Sequence, residues 1–261
     1  MSAPRLSALV VARNEEAQLA DCLATLAFAD QIVVVLDRTT DGSRAIAERV
    51  GARVLEGAWP IEGERRRAGA DACTGDWILE VDADERVPEA LAREVRATIA
   101  RASPGYFQVP FDNYVGTRLV RHGWGASFGV LSAARLFSKG AKRWGAERVH
   151  PSVKLDGQRG RLKAAMTHYV DRDVGEMIDR LRRYSLARAA DLKAKGEPLP
   201  PLVFTLRSSL SRFVKCYVFR KGYREGRMGF MLALMAALYP LVSQLIVEAE
   251  RERPREQAHD S

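Results

Sequence analysis

Three apolar runs constrain the fold more than any other feature of this chain: "LSALVVA" at Leu6–Ala12, "QIVVVLD" at Gln31–Asp37 and "DWILEV" at 76–81. A strand with one wet face alternates apolar and polar residues; these runs do not. The β-branched centre of Gln31–Asp37 suits a strand covered on both faces. Between the runs, residues 16–27 place Leu19, Cys22, Leu23 and Leu26 on one helical stripe. Ser43 is a candidate N-cap for a helix reaching about residue 50. Residues 52–55 read as a short strand and 62–73 as a helix, and Pro88 opens another helix to about residue 101. Such alternation calls for a doubly wound parallel sheet with right-handed crossovers. Residues 106–144 carry five glycines and no clean period. They read as mixed or antiparallel structure completing the sheet.

The segment "WILEVDADE" runs an apolar strand straight into Asp82, Asp84 and Glu85. These acids repel one another and lose hydration, so something must compensate. In an open parallel sheet, ligands bind beyond the carboxyl ends of the strands. Acidic or polar clusters follow three such ends: "ARNEE" at 12–16, Asp37 with Asp41, and Asp82-Ala83-Asp84. One cluster alone reads as a solvated turn or a cap, whereas several converging on one edge point to a ligand site. Asp-x-Asp in an extended segment turns both carboxylates the same way, a hard-oxygen arrangement suited to Mg²⁺ or Mn²⁺. Such an ion bridges to a diphosphate and neutralises it as a bond to phosphate breaks. On that expectation the missing counter-charge arrives with the substrate. Neither a P-loop lysine motif nor a Gly-rich dinucleotide fingerprint follows the first strand, which argues against an NTPase or a dehydrogenase.

"LSALVVARNEE", "VVVLDRTTDGS", "TGDWILEVDADE" and "RLF" (135–137), in this order and spacing, resemble the family 2 glycosyltransferases of the GT-A fold. The likeness is nearest to the lipopolysaccharide core β-1,4-glucosyltransferase-like group and covers residues 6 to about 170. It extends more loosely to "YVFRKGYREGRMGF". The resemblance implies a GT-A, Rossmann-like and mostly parallel sheet flanked by helices, with a helical C-terminal extension. It also implies roles. Ala12, Arg13, Asn14 and Glu15 would line a nucleotide pocket, Asp37 would hydrogen-bond the base, and Arg66 would help hold the nucleotide. Asp82 would lie near ribose and metal, Ala83 between the two acids, and Asp84 would bind the metal. Arg65–Arg67 reads equally well as a solvated helix face. His168-Tyr169 matches the family's His-Tyr after the last strand, with a structural or metal-proximal role.

An inverting transfer needs a group to take the acceptor hydroxyl's proton. The family's Val-His-Glu element, with Glu as the base, matches "VHP", so Pro151 stands in the Glu position. Glu147 and His150 are then the candidate bases; the alternative is that Glu147 pairs with Arg143 or Arg148 and His150 is a packed loop residue. His122, Trp124 and Arg135 are candidates for the acceptor cleft, with Trp124 either stacking on a sugar ring or packing in a core.

Charge divides the chain. Residues 1–100 hold 12 Lys/Arg against 18 Asp/Glu, and 101–261 hold 29 against 15, so the overall +8 is the sum of −6 and +14. An anionic partner for the back half follows. Val174–Lys195 has helical periodicity, "KGEPLPP" breaks it, and residues 207–227 interleave seven basic residues with aromatics before an uncharged stretch, 228–247. This pattern suits a helix in the headgroup region of an anionic membrane, although a core helix, an interface or a bilayer span share its composition. No nucleic-acid recognition motif accompanies the charge. Cys22, Cys73 and Cys216 fit no metal pattern and read as reduced, buried hydrophobes, a cytoplasmic signature. The expected organisation is a catalytic domain over 1–170 and a membrane-associating extension over 171–261. Its expected function is metal-dependent transfer from a nucleotide-diphosphate sugar, most simply a UDP-sugar, to a lipid-linked glycan at the inner face of the cytoplasmic membrane. A catalytically silent scaffold of the same fold, or a nucleotidyltransferase, is the alternative.

Overall fold

The computed structural model describes residues 3–125, 129–145 and 152–252. The chain divides into two units, 1–113 with 131–169 and 114–130 with 170–261. Its strands in chain order are β1 (Leu6–Ala12), β2 (Gln31–Asp37), β3 (Arg53–Gly57), β4 (Trp77–Asp82), β5 (Glu85–Arg86), β6 (Gly105–Val115), β7 (Arg118–Leu119), β8 (Ser132–Ser138), β9 (Lys142–Trp144), β10 (Val153–Leu155), β11 (Gln158–Arg161) and β12 (Met166–Asp171). The helices are α1 (Glu16–Ala24), α2 (Ser43–Arg49), α3 (Glu62–Ala72), α4 (Glu89–Ile99), α5 (Val174–Lys195), α6 (Leu202–Val214) and α7 (Gly226–Glu252).

In the first unit, β3, β2, β1 and β4 lie side by side and parallel. Their residues sort by parity, as a pleated strand requires. Leu6, Ala8 and Val10 of β1 join Trp77, Leu79 and Val81 of β4 in a core shared with α1 and α4. Leu9, Val11, Val33, Val35 and Ile78 fall on the other face, with Ala72 of α3. Burial on both faces is why these runs do not alternate. Gly69 lets α3 lie close to the sheet: a Cβ there would meet Leu9 Cδ1 at 2.5 Å and Val35 Cγ2 at 2.7 Å. Beyond β4 the sheet turns antiparallel, with β8 pairing both β4 and β6 in that sense, so the sheet is mixed. The parallel half is the part legible as β-branched runs. The two-residue β5 pairs antiparallel with β12, setting His168 opposite Glu85.

In the second unit, α7 packs against α5 and α6. Leu232, Ala233, Met235, Ala236 and Tyr239 of α7 meet Met177 and Leu181 of α5 in its core. The helical run Gly222–Arg251 is apolar and long enough to cross a bilayer by length and composition, yet 56% of its most apolar window is buried inside the protein. Here α7 is the core helix. The cysteines are free and buried.

Candidate active site

The order β3-β2-β1-β4 runs outward from β1 in both directions, so the chain reverses between β1 and β4. Such a switch point opens a crevice at the carboxyl ends of the strands. The loops after β1, β2 and β4 leave from this one edge. Since neighbouring strands lie about 4.8 Å apart, β2 and β4 end roughly 10 Å from each other across β1.

The first two loops are tied together. Asn14, in the left-handed region with φ 55°, accepts a hydrogen bond from Thr40 N at 2.8 Å. Glu15 N donates to Ser43 Oγ at 3.1 Å, and Gly42 N donates to Glu16 Oε2 at 2.7 Å. Asp37, at the end of β2, is buried and fully engaged. Its Oδ1 accepts from Arg38 Nε and from Trp59 N at 3.1 Å, and its Oδ2 accepts from Arg38 Nη2 at 2.8 Å and Arg65 Nη1 at 3.2 Å. Burial opposes ionisation of Asp37, but the Arg38 and Trp59 bonds outweigh it and hold the carboxyl below its usual range.

Parity explains the charges of β4. Ile78 faces α3, so Glu80 and Asp82 face it too, and α3 answers with Arg66. That guanidinium binds Glu62 at 2.9 Å, Glu80 at closer range, and Asp82 at 3.4 Å. Lys142 of β9 also binds Glu80, and Arg135 of β8 binds both Asp82 and Glu85. The network therefore runs from Asp37 through Arg65, Glu62 and Arg66 to Glu80, Asp82, Arg135 and Glu85.

This corrects the expectation about compensation. The counter-charge for Asp82 comes from the chain itself: burial would raise its pKa, but Arg135 and Arg66 drive it far below the carboxylate range. Glu85 behaves oppositely. Burial pushes its pKa up to about 7 against the pull of Arg135, with Asp82 adding to the rise. Asp84 lies outside this network and is partly exposed. Its Oδ2 is 3.5 Å from His168 Nε2. His168 Nδ1 is 2.9 Å from Asn113 Oδ1, and an amide oxygen accepts only, so Nδ1 carries the hydrogen and a neutral ring presents its Nε2 lone pair to Asp84. A proton or a metal ion placed between them would join the two acceptors. Burial of His168 disfavours its charged form, but the bond to Asp84 prevails and raises its pKa. Asp84, Glu85 and His168 each offer one ligand atom within 4.8 Å of the others, a hard-oxygen and imidazole set fitting a divalent ion.

Several sequence expectations change. Arg135 is a buried counter-ion rather than a wall of an acceptor cleft, because two carboxylates hold it. Trp124 is 2% exposed in the core of the second unit, its indole donating to Val120 O at 2.6 Å, so no ring face is open for a sugar. His122 belongs to the same unit, where its backbone N donates to Glu225 Oε1 at 3.0 Å. Arg65 and Arg66 turn inward to acids while Arg67 is exposed, so the triplet is no solvated face. Glu147, His150 and Pro151 lie outside the described residues. Sequence reasoning overlooked Glu80, Lys142 and Arg65. A glutamate within an otherwise apolar strand was the available signal for Glu80.

A switch point over clustered carboxylates and a His defines the class, an α/β protein with a ligand site at the carboxyl ends of its strands. The family model described as Glycosyl transferase family 2 matches residues 7–149, and the chain belongs to that family. It is a glycosyltransferase. The chain is 28% identical over 257 residues to the lipopolysaccharide core biosynthesis glycosyltransferase LpsC of Rhizobium meliloti (strain 1021), across 91% of this chain and 90% of that one. It is 25% identical to an uncharacterized glycosyltransferase of Rickettsia felis, across 89% and 86% of the two chains. Among solved structures, S. aureus TarS 1-349 matches 97% of this chain and 93% of its own with a TM-score of 0.51. At 13% identity that likeness speaks for the GT-A fold alone.

Proposed function

We propose that the protein transfers a sugar, glucose or a close relative, from a UDP-sugar to a lipid-linked glycan of the lipopolysaccharide-core kind. It would do so with inversion, in the cytoplasm, at the anionic inner face of the cytoplasmic membrane. The observation carrying the donor half is the pair of facing acceptors, Asp84 Oδ2 and His168 Nε2, beside a β4 whose other carboxylates are already compensated. Similarity to LpsC over nearly the whole chain supports the glycan half.

In this reading Asp84, with His168 and Glu85, holds Mg²⁺ or Mn²⁺, which would neutralise the diphosphate leaving group. Asn113 fixes the His168 tautomer, as outer hydrogen-bond partners of metal-bound imidazoles do. Asp82 is kept ionised by Arg135 and Arg66 and stays on the floor of the site. Ala12, Arg13, Asn14 and Glu15 line the nucleotide, and their link to residues 40–43 supports a stiff wall. Asp37 meets the base by exchanging one of its four donors, Arg38 being the most exposed. Arg66 contributes through the carboxylates rather than directly. Glu147 or His150 takes the acceptor hydroxyl's proton as it attacks the anomeric carbon.

Calorimetry with UDP and Mn²⁺ tests this reading, followed by a screen of nucleotide sugars for metal-dependent hydrolysis. Metal-dependent UDP binding is expected in the unsubstituted protein and should fall at least about 100-fold in Asp84→Asn, at the upper range for altered metal sites. Undiminished binding and turnover in Asp84→Asn would remove the metal role.

A further inference from the structure

Helix α6 is built inside out. At 100° per residue, Val203, Leu206, Arg207, Leu210 and Val214 fall on one face, and Thr205, Ser209 and Arg212 on the opposite one. In an ordinary surface helix the apolar stripe faces the core. Here Thr205 and Ser209 are the buried residues, while Val203 and Leu210 are each 65% exposed and Leu206 48%. Thr205 Oγ1 bonds Gln244 of α7, whose amide also donates to Pro200 O at 2.9 Å. The polar stripe is thus the one that packs. The turn that continues α6, Lys215–Phe219, ends with Phe219 77% exposed.

Charge accompanies the exposed stripe. Residues 198–224 contain no acid, and Arg207, Lys215, Lys221 and Arg224 are exposed there, while Arg212 turns to the packed face over Tyr239. Arg207 and Lys215 line one shallow hollow together with Leu210, Val214 and Phe219. Exposed apolar side chains framed by cations, with no anion among them, complement a surface that is apolar below and negative at its rim. An anionic bilayer has that profile, and a helix lying in its plane presents an apolar face downward and Lys/Arg at the edges.

We infer that the outward face of α6 and its continuation to Phe219 is a docking surface for an anionic lipid bilayer, with α6 lying in the headgroup plane. This rests on the proposed membrane setting and gives it a location: α6 and its basic flank make the contact, while the more hydrophobic α7 stays within the protein as its core.

The full-length protein is mixed with vesicles of equal parts phosphatidylcholine and phosphatidylglycerol, or of phosphatidylcholine alone, and sedimented. It should sediment with the anionic vesicles. The combined substitution Val203→Ser, Leu206→Ser, Leu210→Ser should weaken binding at least about tenfold while lowering the melting temperature only slightly, since about half or more of each side chain is already in water. Arg207→Gln with Lys215→Gln should weaken it about fivefold per charge, and added salt should do likewise. Equal binding by the triple variant, or none by the unsubstituted protein, overturns the inference. So does light scattering that finds a dimer converted to a monomer by the triple substitution without vesicle binding, because a second copy then covers the face. Asp84→Asn should sediment like the unsubstituted protein. Loss of UDP binding with vesicle binding intact removes the donor reading and leaves the docking surface standing; the converse removes only the surface.

Discussion

Strand β4 hides charge and helix α6 displays hydrocarbon, and the two departures from ordinary burial have different physical standing. Glu80 and Glu85 are buried and Asp82 is half-buried, with Arg66, Arg135 and Lys142 supplied by the same unit. Their cost is met within the fold, and it is met only while every partner is present. Val203, Leu206 and Leu210 have no such partner among the described residues, and nothing among those residues repays their exposure. Buried charge here is a property of the folded chain, whereas exposed hydrocarbon points to something outside it.

The largest effect should come from breaking the internal compensation. Arg135→Met leaves Asp82 and Glu85 without their principal cation and should cost about 3–5 kcal/mol, the range for orphaning a buried charge. Denaturant unfolding measures it. Adding Asp82→Asn should restore part of the loss, because the acid that Arg135 holds ionised then carries no charge, and a double-mutant cycle reads that coupling. A loss below about 1 kcal/mol would mean that water already screens the cluster, and β4 would then resemble an ordinary surface.

Second in size is Leu232→Ala. Leu232 lies in the core between α7 and its neighbours. Removing it should cost about 2–5 kcal/mol by lost transfer energy and a residual cavity. This is the test of α7 as a core helix, since a helix that leaves the protein for a bilayer would show little loss in an aqueous melt.

The third prediction concerns pH. The Glu85 carboxyl is raised from 4.5 to about 7, chiefly by burial. A raised acid favours the fold in its protonated form, so that stabilisation is complete below about 4.5 and is lost as pH climbs through about 7. Asp82 and Glu80 are shifted downward, burial being outweighed by Arg135 and Arg66 for the first and by Lys142 and Arg66 for the second. Their contribution is present above the usual carboxylate range and disappears only on acidification below it, so the two windows do not overlap. Urea midpoints of chelator-treated protein should therefore fall between about pH 4.5 and 7, and Glu85→Gln should flatten that slope. A slope unchanged in Glu85→Gln assigns the proton elsewhere.

These contrasts also show what a sequence exposes. The parallel half of the sheet was legible because both-face burial writes itself into consecutive residues, as in Gln31–Asp37. The acids after β1, β2 and β4 were legible because they adjoin those runs. Their counter-ions were not: Arg135 meets Asp82 across 53 positions of chain, and Lys142 meets Glu80 across 62. His168 reaches Asp84 only because the two-residue β5 pairs with β12, too short a strand to announce itself. For the helices, hydropathy identified α7 as the striking candidate for a membrane because composition counts apolar residues and not their direction. The direction of the α6 stripe depends on Thr205 finding Gln244, a long-range fact.

The smallest effect should belong to Leu210→Ser, and it is the sharpest check on the comparison. Leu210 is chemically the same side chain as Leu232, on a helix packed against the one that carries Leu232, yet it keeps 65% of its surface in water. Little apolar area returns to solvent when it is cut, so the unfolding free energy should move by less than about 0.5 kcal/mol, the usual span of surface substitutions. The serine also has a lower helix propensity than leucine, which accounts for a loss of a few tenths at most. Fluorescence-monitored urea unfolding at low protein concentration makes the measurement. A loss approaching that of Leu232→Ala would require Leu210 to be covered in the folded protein in solution, and the outward stripe of α6 would then be an interface already occupied rather than a surface waiting for lipid.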